Sequence, residues 1–239
     1  MAKNVLITGV SSGLGAGLAE SYLNDGYHVY GLSRRLPPER LRGDRLHHVS
    51  VDLNVSGEIP AALHRLLHSV SELEWVYLNA GVLGEIRDLV EAPLEELKHT
   101  MNVNLWANKV LIDALLRSDI SIQTIIGISS GAAVNGNRGW SGYSLSKAAL
   151  NMLMMLYARE QSDVRFYALA PGLIDTAMQD YMSTVPDENR FTSVRRLRAA
   201  RNTDDMPHPL EAAGRIRACL GDLLRLESGS FADVRHLQG

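Results

Sequence analysis

Apolar residues along this chain fall into two alternating patterns. Runs of strand length occur at 4–8, 27–33, 47–51, 75–79, 122–130, 164–169 and 230–234. Between them lie longer segments, at 16–25, 56–69, 93–116, 143–160 and 210–220, in which apolar side chains recur with helical spacing. In 56–69, for example, Ile59, Leu63, Leu66 and Leu67 share one face. The run 122–130, with Ile122, Ile125, Ile126 and Ile128, is nearly continuous in apolar residues, as in a parallel strand covered on both faces. Gly26 marks the end of the first helix, and Pro93 with Glu95 and Glu96 opens the longest, 93–116. Strand and helix alternate without internal repeats. This predicts an α/β chain: a single doubly wound parallel sheet of about seven strands, helices on both faces, forming one domain over 1–239.

Two segments depart from the pattern. Residues 131–142 are rich in Gly and Asn. Residues 177–209 show no clean period, and carry Met178, Met182, Phe191 and Met206 among Arg195, Arg196, Arg198 and Arg201. A long irregular insertion beside a crevice suits a substrate lid. Its arginines either face an anionic ligand or form a solvated helix face, the commoner fate of a charge run.

Composition narrows the partners. With 239 residues, 46% hydrophobic and 21% charged, the chain can bury the core of one large domain. A net charge of -3 excludes a general nucleic-acid binder, whose affinity rests on a basic surface. The single cysteine, Cys219, builds neither a disulfide framework nor a thiolate metal cluster and reads as a buried structural thiol. His64 and His68 stand one helical turn apart, but no third ligand lies near, so no metal is expected. No stretch approaches the ~18 apolar residues of a membrane span, and the run after Lys3 is too short for a secretory signal. A cytoplasmic protein with neither membrane nor nucleic-acid partner is expected.

Candidate chemistry collects where strands end. The first apolar run passes through Thr8 into a turn, Gly9-Val-Ser11-Ser12-Gly13-Leu14-Gly15, that opens the first helix. Backbone N–H groups of such a turn and the positive end of the helix hold a pyrophosphate without a basic side chain. Gly9 permits the turn, Gly13 close approach, and Gly15 packing of helix on strand. The second strand ends in Ser33-Arg34-Arg35 with no acid. At that position an acid takes a ribose 2′-hydroxyl, whereas arginine grips a 2′-phosphate with its planar fork, which points to NADP(H). Asp52, beside Leu53 at the end of the third strand, either bonds an adenine amino group or caps the next turn. The fourth strand runs into Asn79-Ala80-Gly81 at the same edge. Asn104, inside the long helix, is either a buried amide with a purpose or a surface polar position. The fifth strand delivers Ser129 and Ser130. Tyr143 and Lys147 stand one turn apart on the next helix, so the ammonium can sit near the phenol. The sixth strand ends in Ala170-Pro171-Gly172, followed by Ile174 and Thr176.

In this order, Thr8-Gly9-x-x-x-Gly13-x-Gly15, Asn79-Ala80-Gly81, Asn104, Ser130, Tyr143-x-x-x-Lys147 and Pro171-Gly172 resemble the short-chain dehydrogenase/reductase family over nearly the whole chain. Segments 170–179 and 228–235 resemble its sepiapterin reductase and benzil reductase branch. The resemblance implies a Rossmann-type fold and an NADP-dependent carbonyl reductase. Ser130 lies thirteen positions before Tyr143, the family's spacing, and is therefore preferred to Ser129. It further implies that Tyr143 donates the proton, that Ser130 polarises the carbonyl, and that Lys147 holds the nicotinamide ribose. Asn104 would hold a water linking Lys147 to solvent, while Thr176 and the backbone at Ile174 orient the carboxamide. Dimers or tetramers through helices 93–116 and 143–160 are expected.

The residue types fit this chemistry directly. Ketone reduction needs a hydride at carbon and a proton at oxygen as charge builds there. A tyrosine ordinarily holds its proton to pH ~10, and the Lys147 charge is expected to lower that value. Oxidation of an alcohol is the alternative direction. A regulator that binds the nucleotide without chemistry is opposed by the Tyr143 and Lys147 pair.

Overall fold

The computed structural model describes residues 3–185, 187 and 189–237. Seven strands form one sheet: β1 (Asn4–Thr8), β2 (His28–Ser33), β3 (Leu46–Ser50), β4 (Glu72–Leu78), β5 (Ser121–Ile128), β6 (Arg165–Ala170) and β7 (Phe231–Asp233). All neighbours are parallel, in the order β3-β2-β1-β4-β5-β6-β7. The order reverses between β1 and β4, where Val5 pairs with Trp75 and Ile7 with Tyr77. At such a reversal the flanking connections diverge and leave a crevice beyond the strands' carboxyl ends.

Both faces of the sheet are covered. On one, α2 (Ile59–Leu67), α4 (Ala107–Leu116) and α6 (Ser141–Glu160) pack over Leu6, Leu32, Val76, Leu78 and Ile125. On the other, α1 (Gly13–Asn24), α9 (Pro209–Ala218) and the short α10 (Leu220–Leu223) cover Val5, Ile7, Tyr77, Ile126 and Tyr167. Helices α1 and α9 approach so closely that a Cβ at Gly17 would lie 2.2 Å from the Pro209 carbonyl oxygen.

Two segments differ from expectation. The single helix expected over 93–116 is α3 (Leu94–Met101), a π-helical turn at Asn102–Trp106, and then α4. The wider turn accommodates Asn104, which is fully buried. Its Oδ1 accepts from Val82 N at 2.8 Å, and its Nδ2 donates to Val82 O at 2.8 Å and Ser146 Oγ at 2.9 Å. Of the two readings of Asn104, the buried one therefore holds. The stretch 177–209 contains α7 (Ala177–Thr184) and α8 (Thr192–Ala200), although residues 186 and 188 of it lie outside the described set. Met182, Val185, Phe191, Val194 and Leu197 form a separate small core with Ile86. Its apolar positions are divided between two short helices, so no single helical period runs through the sequence. Loop 131–142 likewise contains one short helix, α5 (Ala132–Asn135).

Candidate active site

The β1–α1 connection is held from three sides. Gly9 N donates to Leu32 O at 2.7 Å, tying the turn to β2. Thr8 Oγ1 accepts from Asn79 N at 2.9 Å and Ala80 N at 3.0 Å, while Asn79 Nδ2 donates to Thr8 O at 2.8 Å. The Asn79 amide thus fastens the glycine turn to the end of β4. Gly9 adopts φ +80, a conformation that L side chains rarely take. A Cβ at Gly15 would lie 2.2 Å from Gly9 O and 2.5 Å from Asn79 Nδ2. Ser12 caps α1 with no side-chain hydrogen bond to the helix, and with Gly13 and Leu14 of its first turn it lines the cleft.

A cleft of about 420 Å³ opens along the carboxyl ends of the strands. Among the expected cofactor residues, Gly9, Ser11, Ser12, Gly13, Leu14, Arg34, Arg35, Asp52, Leu53, Asn79, Ala80, Gly81, Pro171, Gly172, Ile174 and Thr176 line it, as do Ser130, Tyr143 and Lys147. Gly15 and Asn104 do not. Gly15 lies beneath the turn, and Asn104 stands behind the wall formed by Val82 and Gly81. Asp52 Oδ1 accepts from Asn54 N at 3.0 Å, so it caps the turn while bordering the cleft. Thr176 Cγ2 approaches Gly13 across the opening, 3.3 Å from where a Cβ would stand.

The two serines ending β5 diverge. Ser129 is buried and donates to Asn151 Oδ1 at 2.5 Å, whereas Ser130 accepts from Ala132 N at 3.1 Å and stands near enough to the Tyr143 phenol to act on its pKa. Lys147 Nζ donates to Ile128 O at 2.6 Å and lies 5.6 Å from the Tyr143 ring centroid. Burial lowers the Lys147 pKa from 10.5 to about 8. Burial raises the Tyr143 phenol above its ordinary value, against the opposing pull of the Ser130 hydrogen bond. The expected lowering by Lys147 is not seen: burial and Ser130, not the Lys147 charge, are what move the phenol here. The Asn104 side-chain amide is engaged by Val82 and Ser146, and its backbone carbonyl accepts from Asn108 Nδ2 at 2.8 Å, which leaves that oxygen a second lone pair.

Beyond Tyr143 the cleft is walled by Trp140, Leu173, Met178 and Leu197, with Gln179 among them. Trp140 tilts against the Tyr143 ring at 5.9 Å, and its Nε1 donates to Ser193 Oγ at 2.8 Å. Asp88 ties the surrounding segments together, accepting from Arg138 at 2.7 and 2.5 Å and from Arg190 at 2.8 Å. Hydrogen bonds from these two arginines hold the Asp88 carboxyl far below the usual carboxylate range. None of Arg195, Arg196, Arg198 and Arg201 lines the cleft. Arg198 donates to Met182 O at 3.0 Å and to Val185 O, and Arg201 pairs with Asp180, while Arg195 and Arg196 are exposed. Trp140 and Gln179 fall in the irregular segments 131–142 and 177–209, and Leu173 follows Gly172, with no period to single them out as wall residues. Trp140, three positions before Tyr143 and rare in composition, was the one with a visible signal.

Comparison with known proteins bears on this geometry. The short chain dehydrogenase family model matches residues 3–186. A benzil reductase ((S)-benzoin forming) of Bacillus subtilis is 30% identical over 241 residues, covering 96% of this chain and 97% of its own. The crystal structure of a short chain dehydrogenase/reductase from Saccharomyces cerevisiae superposes with a TM-score of 0.85 at 23% identity, covering 98% of this chain and 96% of its own. A Shigella flexneri short chain dehydrogenase complexed with NADP gives a TM-score of 0.77 at 24% identity, with 98% and 97% covered. Seven parallel strands, a glycine turn at the reversal of strand order and the family match agree: this chain belongs to the short chain dehydrogenase family of oxidoreductases.

Proposed function

We propose that this protein reduces a ketone or vicinal dicarbonyl to an alcohol with NADPH, Tyr143 donating the proton. The observation that carries this reading is the position of Ser130, Tyr143 and Lys147 on one wall of the cleft that the glycine turn opens. A dinucleotide fits the residues present. Gly9 and Gly13 leave their side of the cleft without side chains, and the uncapped first turn of α1 lines it. Arg34 and Arg35 stand exposed at the far end of the cleft with no ion-pair partner among the described residues, the arrangement a 2′-phosphate calls for. When bound, NADPH supplies the hydride.

The chain's own residues supply the rest. Because burial holds the Tyr143 phenol above its ordinary pKa, it starts protonated at neutral pH, as an acid for reduction must. The oxidative direction needs the phenolate, which this environment disfavours. Ser130, which borders the cleft with Tyr143, donates toward a carbonyl oxygen placed between them as charge develops there. Lys147 then offers its charge to the phenolate left behind, at a site from which Gly81 excludes any side chain. The apolar wall of Trp140, Leu173, Met178 and Leu197 suits a flat, uncharged substrate such as an aryl diketone. Benzil, named for the Bacillus subtilis relative, belongs to that class. Helices α7 and α8 act as the lid over it.

Two further features belong to this reading. Leu145, Met152, Met155 and Leu156 on α6 and Trp106 beside them are exposed and apolar, a face suited to a second copy of the chain in a homodimer or homotetramer. No described helix is long and apolar enough to cross a membrane, and the one buried thiol fits a reducing, cytoplasmic setting.

The test is NADPH consumption by the purified protein with a panel of vicinal diketones, benzil among them. Tyr143→Phe is expected to lose about 10²–10⁴-fold in kcat while still binding NADPH. Turnover retained by this variant sinks the mechanism, and no turnover on any carbonyl sinks the reading.

A further inference from the structure

Ser33, the last residue of β2, borders the cleft yet is only 6% exposed. Its hydroxyl has two partners. Ser33 Oγ donates to Arg35 O at 2.7 Å, and His48 Nε2 lies 3.0 Å from the same oxygen. The single hydroxyl proton is committed to Arg35, so His48 must carry its proton on Nε2 and donate it to Ser33. Farther along, the Arg35 guanidinium reaches Ser12 Oγ in the glycine turn at 3.5 Å. A continuous chain of contacts thus runs from His48 on β3, through Ser33 and the Arg35 backbone, to the turn before α1. It encloses the end of the cleft where Arg34 and Arg35 stand without ion-pair partners among the described residues.

We propose that His48 is a positioning residue for cofactor choice: its hydrogen bond to Ser33 fixes the turn that presents Arg34 and Arg35 to the 2′-phosphate of NADPH. The inference rests on the NADPH reading given above. A bidentate grip on phosphate requires the guanidinium to start from a fixed backbone, because each arginine otherwise loses much rotamer freedom on binding. Without a donor at position 48 the Ser33 hydroxyl is free to rotate away from Arg35 O, and the grip loosens. A neutral imidazole suits the position better than an acid, which would compete for the two arginines. Burial and the nearby Arg42 charge keep His48 below its ordinary pKa, hence neutral at neutral pH, even though a hydrogen bond to the Ser33 backbone acts in the other direction. NADH has no group for this turn to hold.

Titration of NADPH and of NADH into the full-length protein, followed by nicotinamide fluorescence, separates the possibilities. Wild type is expected to favour NADPH. His48→Leu is expected to raise the NADPH Kd by about tenfold, equivalent to ~1.4 kcal/mol, while the NADH Kd stays within about twofold. His48→Gln, whose amide can donate to the same hydroxyl, should recover most of the loss. Ser33→Ala removes the acceptor and should reproduce the leucine effect even if the leucine variant folds poorly. Equal binding of both nucleotides by wild type overturns the NADPH reading and this inference with it. A wild-type preference for NADPH that survives in His48→Leu and Ser33→Ala overturns this inference alone. A loss specific to NADPH that glutamine does not restore overturns the hydrogen-bond role of His48.

Discussion

In the proposed mechanism Lys147 serves the chemistry at a cost to stability. Its ammonium is buried, and its pKa falls from 10.5 to about 8 because the charged form is desolvated. Between those two values the folded chain binds fewer protons than the unfolded one, so stability rises with pH across that window. Below pH 8 the folded state carries the whole penalty; above about 10.5 both states are neutral and the penalty is gone. Lys147→Met should therefore abolish turnover yet raise the thermal midpoint at neutral pH, with the gain fading as pH climbs through the window. Thermal unfolding of both proteins across that range checks this. A gain independent of pH would remove charge desolvation as its cause. Ser129 and Ser130 make the complementary point: both border the cleft, yet the Ser129 hydroxyl is spent on Asn151 of α6 while Ser130 Oγ accepts from Ala132 N.

Two glycines on one helix, α1, separate fold from site. A Cβ at Gly15 would meet Gly9 O at 2.2 Å and Asn79 Nδ2 at 2.5 Å, both parts of the cofactor turn. A Cβ at Gly17 would meet Pro209 O at 2.2 Å, on the far side of the helix against α9. Gly15→Ala and Gly17→Ala should each destabilise the protein by about 1–3 kcal/mol through overpacking. Only Gly15→Ala should also weaken nucleotide binding, because only there must the turn itself shift. Denaturant unfolding and nucleotide titration of the two variants test this, and an equal loss of affinity in both would show that the turn yields with the helix as a whole. Helices α7 and α8 are organised differently, by a small core of their own and by Arg190 reaching Asp88.

For the molecule as a whole, the exposed stripe on α6 decides its state of assembly in the proposed reading. Leu145, Met152 and Leu156 recur at helical spacing and are each about half exposed, next to Trp106. Leu156→Glu combined with Trp106→Glu should lower the molar mass measured by light scattering after size exclusion, without unfolding the chain. A wild-type protein that already runs as a monomer would dismiss the oligomer.

Legibility followed the distance over which each feature is built. The strands, the glycine turn, α1, and the Tyr143 and Lys147 pair rest on neighbours within a few positions, so periodicity, glycine placement and side-chain type reveal them. The parallel α/β architecture followed from strict alternation, since a parallel strand needs a crossover and a helix supplies it. By contrast, the bond from Trp140 to Ser193 spans 53 positions, that from Arg190 to Asp88 spans 102, and that between Ser33 and His48 spans 15. Nothing local specifies such partners. The π turn at Asn104 was hidden as well, because it exists to satisfy an amide whose partners lie on the β4–α3 connection and on α6. The sequence by itself determined the sheet, the order of its helices and the kinds of chemical group at its carboxyl edge. Only the tertiary structure decided where the Ser129 hydroxyl is spent, how far burial governs Tyr143, and which arginines border the cleft, because each depends on what the folded chain places around the group.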